Sequence, residues 1–99
     1  SDKAVVELDE MTLKVIEAYE LSLEVMKEEN RYKAQKVVEI EGVVDEMEKT
    51  LRKKHITRLN EGRCETSSGI IFLDMLSNLE RISDHSSNIA LAVLDVSEH

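Results

Sequence analysis

The chain has 99 residues, 41% of them hydrophobic and 34% charged, with a formal net charge of −8. That length makes one domain with a modest core, and the acidic balance excludes nucleic acid, whose phosphates need a basic face, and disfavours an anionic membrane surface. With 3% aromatics, no proline and three glycines, the core must be aliphatic, and nothing interrupts a helical hydrogen-bond ladder for long stretches.

The first predicted helix runs from about Asp2 to Glu29. Val5, Leu8, Met11, Val15, Tyr19, Leu23 and Met26 recur at steps of three and four, the period of a helical stripe, and Glu7, Glu10, Glu17 and Glu24 mark the opposite face. Glu28 to Arg31 form the first turn, with Asn30 suited to left-handed geometry or to capping. The second helix runs from about Tyr32 to Glu61 along Val37, Ile40, Val44, Met47, Leu51, His55 and Leu59. Gly42 inside it costs about 1 kcal/mol against Ala and asks for a packing reason, such as a close helix contact.

Asn60-Glu61-Gly62 reads as a helix stop with Gly62 just past the end. After a short polar loop, Thr66, Ser67 and Ser68 are candidate caps for a third helix, from about Ser67 to Val96. Its stripe is Ile71, Met75, Leu79, Ile82, Ile89, Val93 and Val96, and the small residues Ser83, Ser86, Ser87 and Ala90 would admit a neighbouring helix closely. Short connections make sequential helices antiparallel neighbours. The expected fold is all-α: one domain over residues 1–99, an elongated up-down-up three-helix bundle with helices roughly 40 to 45 Å long.

Two acidic steps stand out. Glu41 and Asp45 on the second helix, and Glu80 and Asp84 on the third, are each spaced i, i+4, which puts both carboxylates on one helix face. Counted from the intervening turn, the steps fall within about two helical turns of the same height. Both also lie beside the apolar stripes. Four carboxylates converging there would suit a metal ion. Equally, Arg52, Arg58 and Arg81 could neutralise them as ordinary ion pairs. His85, which points about 100° away from Asp84, and Asn88, one turn beyond it, are weaker candidates. His55 reads first as a partly buried histidine.

Little points to catalysis. Cys64 has no neighbouring base to activate it, the serines of the third helix lack the strand-turn-helix context of a nucleophile, and there is no glycine-rich phosphate loop. A lone cysteine excludes an internal disulfide and fits a reducing compartment. The acidic N-terminus lacks a signal-peptide pattern, and no apolar run approaches a membrane span. The near-immediate helical start, without an initiator Met, suggests a domain excised from a larger chain.

The run Ser77-Asn78-Leu79-Glu80-Arg81-Ile82-Ser83-Asp84-His85-Ser86-Ser87-Asn88-Ile89-Ala90 resembles the signature helix of PhoU domains, with Ser83 where that family usually has Gly. Glu41-Gly42-Val43-Val44-Asp45 is similar to the family's other acidic step. Leu59 to Cys64 and Ser68 to Asp74 resemble the PhoU-like tail of bacterial sodium/phosphate cotransporters. The resemblance covers residues 37 to 91 and implies a single three-helix PhoU repeat that regulates phosphate uptake from the cytoplasm. It implies a metal cluster of iron or zinc carried by Glu41, Asp45, Glu80 and Asp84; oxygen ligands equally suit Mg, Mn or Ca. Full PhoU proteins carry two such repeats. The expected partners of this chain are therefore a second copy or second repeat, and the membrane transporter domain of its own parent chain. The expected function is non-enzymatic regulation of phosphate transport. The alternative is a metal-free helical module for dimerisation.

Overall fold

Residues 2–62 and 65–98 are described by a computed structural model, and they form three helices: α1 (Asp2–Glu28), α2 (Arg31–Asn60) and α3 (Thr66–Glu98). The described residues contain no strand. All three helix pairs are in contact, and the bundle measures 53 × 19 × 17 Å. This is the expected all-α, elongated three-helix bundle.

The first corner is set by local chemistry. Glu29 adopts a left-handed φ of 51° while its N–H donates to the Val25 carbonyl at 2.8 Å. Asn30 then caps α2, its side-chain oxygen accepting from the Lys33 backbone N–H at 3.1 Å. Lys33 fastens the corner from outside, with its ammonium 2.7 Å from Glu28 and 3.4 Å from Glu24. At the far end of α2, Gly62 takes φ +68° and its N–H donates to the Leu59 carbonyl at 3.1 Å, the left-handed ending for which glycine is suited. Cys64 lies outside the described residues. Helix α3 begins at Thr66, so the three proposed caps all sit within its first turn. Ser67 instead donates its hydroxyl to the Glu65 carboxylate at 2.7 Å.

The core is aliphatic, in two clusters along the axis. The larger holds Leu8, Met11, Val15, Ile40, Val44, Leu51, Phe72 and Leu76; the smaller holds Val25, Ala34, Val37 and Ala90. The buried rows differ from the expected stripes at particular positions. On α1 the row drifts through Ala18, Ser22 and Val25, leaving Val5, Tyr19, Leu23 and Met26 exposed. On α3 it runs through Phe72, Leu76, Ser83, Ser86 and Ala90, one residue out of phase with Ile71, Met75 and Ile82, which are exposed. One residue is about 100° of rotation. The small side chains of α1 and α3 win the interior because two long helices pack closely only where side chains are short. Ser22 and Ser86 satisfy their hydroxyls on the carbonyls of Tyr19 and Ile82, at 2.6 and 3.0 Å.

The glycines divide. A Cβ at Gly69 would overlap the Leu59 side chain and sit 3.2 Å from His55 Nε2, so glycine there permits the α2–α3 corner to close. Gly42 meets nothing within 4 Å of an added Cβ. It lies exposed on α2, and the expected close helix contact at that position is absent. His55 is buried and stacks on Phe72, with ring centroids 4.2 Å apart.

Candidate metal centre

The α2–α3 packing brings the two acidic steps together. Glu41, Glu80 and Asp84 each place a carboxylate oxygen within 4.8 Å of the others, and so do Asp45, Glu48 and Glu80. Glu80 belongs to both trios and joins them into one patch. All four residues singled out in the sequence are in it. Glu48 is the fifth and was missed, although the steps Glu41, Asp45, Glu48 of four and three residues continue the same helix face.

The patch is electrostatically loaded. Glu80 is partly buried, and its Oε2 has no hydrogen-bond partner. Its pKa is pushed up from 4.5 to about 7, first by desolvation, then by contact with the Asp45 carboxyl and the charges of Asp84, Asp45 and Glu48. Glu41 is raised by desolvation and by Asp84 and Asp45. Cations reach only one side. Lys49 sits 3.1 Å from Asp45. Arg52 bonds Glu48 through Nε and Ser77 Oγ through Nη2 at 2.9 Å. Arg58 is committed elsewhere: with Lys54 it clamps Glu7, the pairs measuring 3.1 and 3.0 Å, and those contacts hold the Glu7 pKa below its usual value. Among the described residues, no Lys or Arg forms an ion pair with Glu41, Glu80 or Asp84. The weaker candidates stay apart. His85 joins neither trio, Asn88 is exposed, and His55 is packed against Phe72.

The donor set fits a hard cation. It consists of carboxylate oxygens alone, and one of them is a buried oxygen with no partner. A cation between the steps would satisfy that oxygen and remove the repulsion that raises Glu80. Lys49 and Arg52 would have to yield Asp45 and Glu48 for all five carboxylates to bind.

Comparison with known proteins identifies the family of the chain. The family model for the PhoU domain matches residues 8–93, which span all of α2, most of α1 and α3, and both acidic steps. Over 83 residues the chain is 29% identical to the phosphate-specific transport system accessory protein PhoU homolog 1 of Thermotoga maritima, an alignment covering 84% of this chain and 34% of that relative. The chain therefore spans about a third of the length of the curated relative it matches. No solved structure matches it. With its three long helices and its matched segment reaching from Leu8 to Val93, the chain belongs to the PhoU domain family.

Proposed function

We propose that this PhoU domain serves in the regulation of phosphate transport and does so as a cation-binding module. Family membership and the name of the Thermotoga relative support the transport role. The metal reading rests on one observation above others: the buried, partnerless Oε2 of Glu80 where the two carboxylate trios meet. Glu41, Asp45, Glu80 and Asp84 hold the ion in this reading, with Glu48 as an added donor. The ion is iron or zinc by family resemblance, and Mn, Mg or Ca by the hardness of the donors. It would supply positive charge that ties α2 to α3, and no catalytic step is assigned to it. The domain is regulatory and not an enzyme.

The parent chain in this reading is a sodium/phosphate cotransporter of the inner or plasma membrane, with this domain on its cytoplasmic side. None of the described helices is long and apolar enough to cross a membrane; in this reading the membrane-spanning transporter domain is another part of the same parent chain. A second copy or second repeat, and that transporter domain, are the partners.

The test is elemental analysis of protein purified without a chelating tag, beside the variant Glu41→Gln, Asp45→Asn, Glu80→Gln, Asp84→Asn. Stoichiometric metal in the parent and none in the variant supports the reading. Absence of metal from both, after incubation with Fe, Zn and Mn, refutes it. The alternative, a metal-free interaction module, draws on a different observation: Lys49 and Arg52 already neutralise Asp45 and Glu48.

A further inference from the structure

Helix α3 packs against both α1 and α2 and fills one side of that helix pair. On another side α1 and α2 leave an open trough of about 570 Å³. Its floor is apolar: Val43, which is 48% exposed, the part-buried Met47, and Leu51, with Gly42 beside them. Along α2 the trough runs from Glu39 to Leu51, roughly 18 Å at 1.5 Å per residue. A second hollow, sharing Glu10 and Met47 with the first, extends it over the exposed Leu13.

Two features of this trough serve nothing inside the bundle. The first is its charge. Glu10, Glu39 and Glu46 stand along the walls, and among the described residues none of them forms a hydrogen bond or ion pair. The nearby cations are engaged elsewhere. Lys14 lies 3.5 Å from Glu17, Lys49 is bonded to Asp45, and Lys54 with Arg58 holds Glu7 at the Leu51 end. The second feature is Gly42. Glycine in mid-helix weakens α2, and a Cβ there would meet nothing within 4 Å, so no contact within the chain requires it. Its bare backbone opens on the trough, and close approach of another chain is a use for glycine.

We propose that the α1–α2 trough is the docking site for a basic amphipathic α-helix of a partner polypeptide. The chemistry of the trough selects that occupant. An apolar floor between two helices receives the apolar face of a third, read at steps of three and four residues. Carboxylates on both walls then meet Lys or Arg on the flanks of the incoming helix, and the charge complementarity fixes its register. The trough is long enough for three turns of such a helix. The same walls repel an anionic lipid surface and nucleic acid. A second copy of this chain does not supply the ligand: its basic stretch, Lys49 to Arg58 of α2, is already packed, with Leu51 and His55 buried. Glu41, Asp45, Glu80 and Asp84 line no part of the trough, so docking stands or falls apart from metal binding.

The probe is a fluorescein-labelled helical peptide of about 18 residues, five turns, with Leu at steps of three and four, Lys on both flanks and Ala elsewhere. A shuffled peptide of the same composition is its control. Binding is followed by fluorescence anisotropy in chelator at about 0.15 M salt, where long-range attraction to the acidic chain is screened. The amphipathic peptide is expected to saturate with a Kd of about 10 μM, the weak end for a small interface, and the shuffled one is not. Glu10→Gln with Glu46→Gln should weaken binding about tenfold or more, whereas Asp9→Asn with Asp74→Asn, an equal change in net charge, should weaken it less than about threefold. Gly42→Leu changes no charge and fills the trough, and should also weaken binding about tenfold or more. Circular dichroism confirms that each variant is folded. Failure of the amphipathic peptide to saturate overturns the proposal. So does equal binding of the shuffled peptide, equal weakening by the two charge pairs, or unchanged affinity in folded Gly42→Leu.

Discussion

Replacing Glu80 with Gln keeps the side chain's shape and removes its charge, and the consequence depends on pH in a calculable way. In the folded chain the Glu80 pKa stands near 7 against an ordinary 4.5. A raised pKa means that the folded state binds the proton more tightly than the unfolded state. The stability this lends is complete below about pH 4.5 and is lost as pH rises through 7. A shift of about 2.5 pKa units corresponds to a ceiling of about 3 kcal/mol. Partial solvent exposure reduces it to about 1–2 kcal/mol. In metal-free protein, Glu80→Gln is therefore expected to match the parent near pH 4.5 and to be more stable at pH 8, by about 5–10 °C in Tm for a domain of this size. Thermal unfolding followed by circular dichroism across that range, in chelator, measures it. Saturating metal at pH 8 should narrow or reverse the gap, because ion binding adds about 2.7 kcal/mol to the parent at a hundredfold excess over Kd. A gap that stays constant with pH, or a Gln variant less stable at pH 8, would refute the electrostatic account of this patch.

Three other outcomes follow from the packing. Gly42→Ala meets no atom within 4 Å and should stabilise the domain by about 0.4–1 kcal/mol in urea unfolding. Gly69→Ala sets its methyl group against the end of the Leu59 side chain and His55, so Leu59 must shift; this offsets the ~1 kcal/mol that Ala gains over Gly in a helix, and the same measurement should show less stabilisation than Gly42→Ala or a net loss. Burial lowers the His55 pKa, so its neutral form stabilises the fold at pH 7 and that contribution is lost as pH falls below 6.5. Glu80 titrates in the opposite sense, so the effect is cleanest in a Glu80→Gln background. There, His55→Phe should flatten the remaining loss of stability between pH 7 and 5.

The long helices and the two acidic steps were legible in the sequence because they rest on local signals. Absence of proline, Asn30 as cap and Gly62 as terminator act within a turn or two of chain. Which face of α3 turns inward was not legible. Its most hydrophobic row, Ile71, Met75 and Ile82, is exposed, and a neighbouring row containing Ser83 and Ser86 is buried. Hydrophobicity ranks Ile above Ser at any single position. Close packing of helices reverses that ranking, because the fully buried Ser83 site leaves no room for a larger branched side chain without moving a neighbouring helix. Glu48 escaped notice for a related reason. Its place beside Glu80 is a product of helix packing, and in the sequence it is one acid among 21.

The two discrepancies have a common physical origin. Burying small polar residues on α1 and α3 brings those helices close but uses little apolar area, so Val5, Ile16, Ile71 and Ile82 are left outside the core. On the other side of α3, the packing against α2 sets Glu80 among four other carboxylates and withdraws one of its oxygens from solvent. Each feature is costly in a lone bundle: exposed apolar rows are usual only where something covers them, and a buried carboxylate oxygen without a partner loses its hydration for no return. A cation between α2 and α3 would remove the second of these costs, because it would give the withdrawn Glu80 oxygen a partner and offset the charge of the four carboxylates around it.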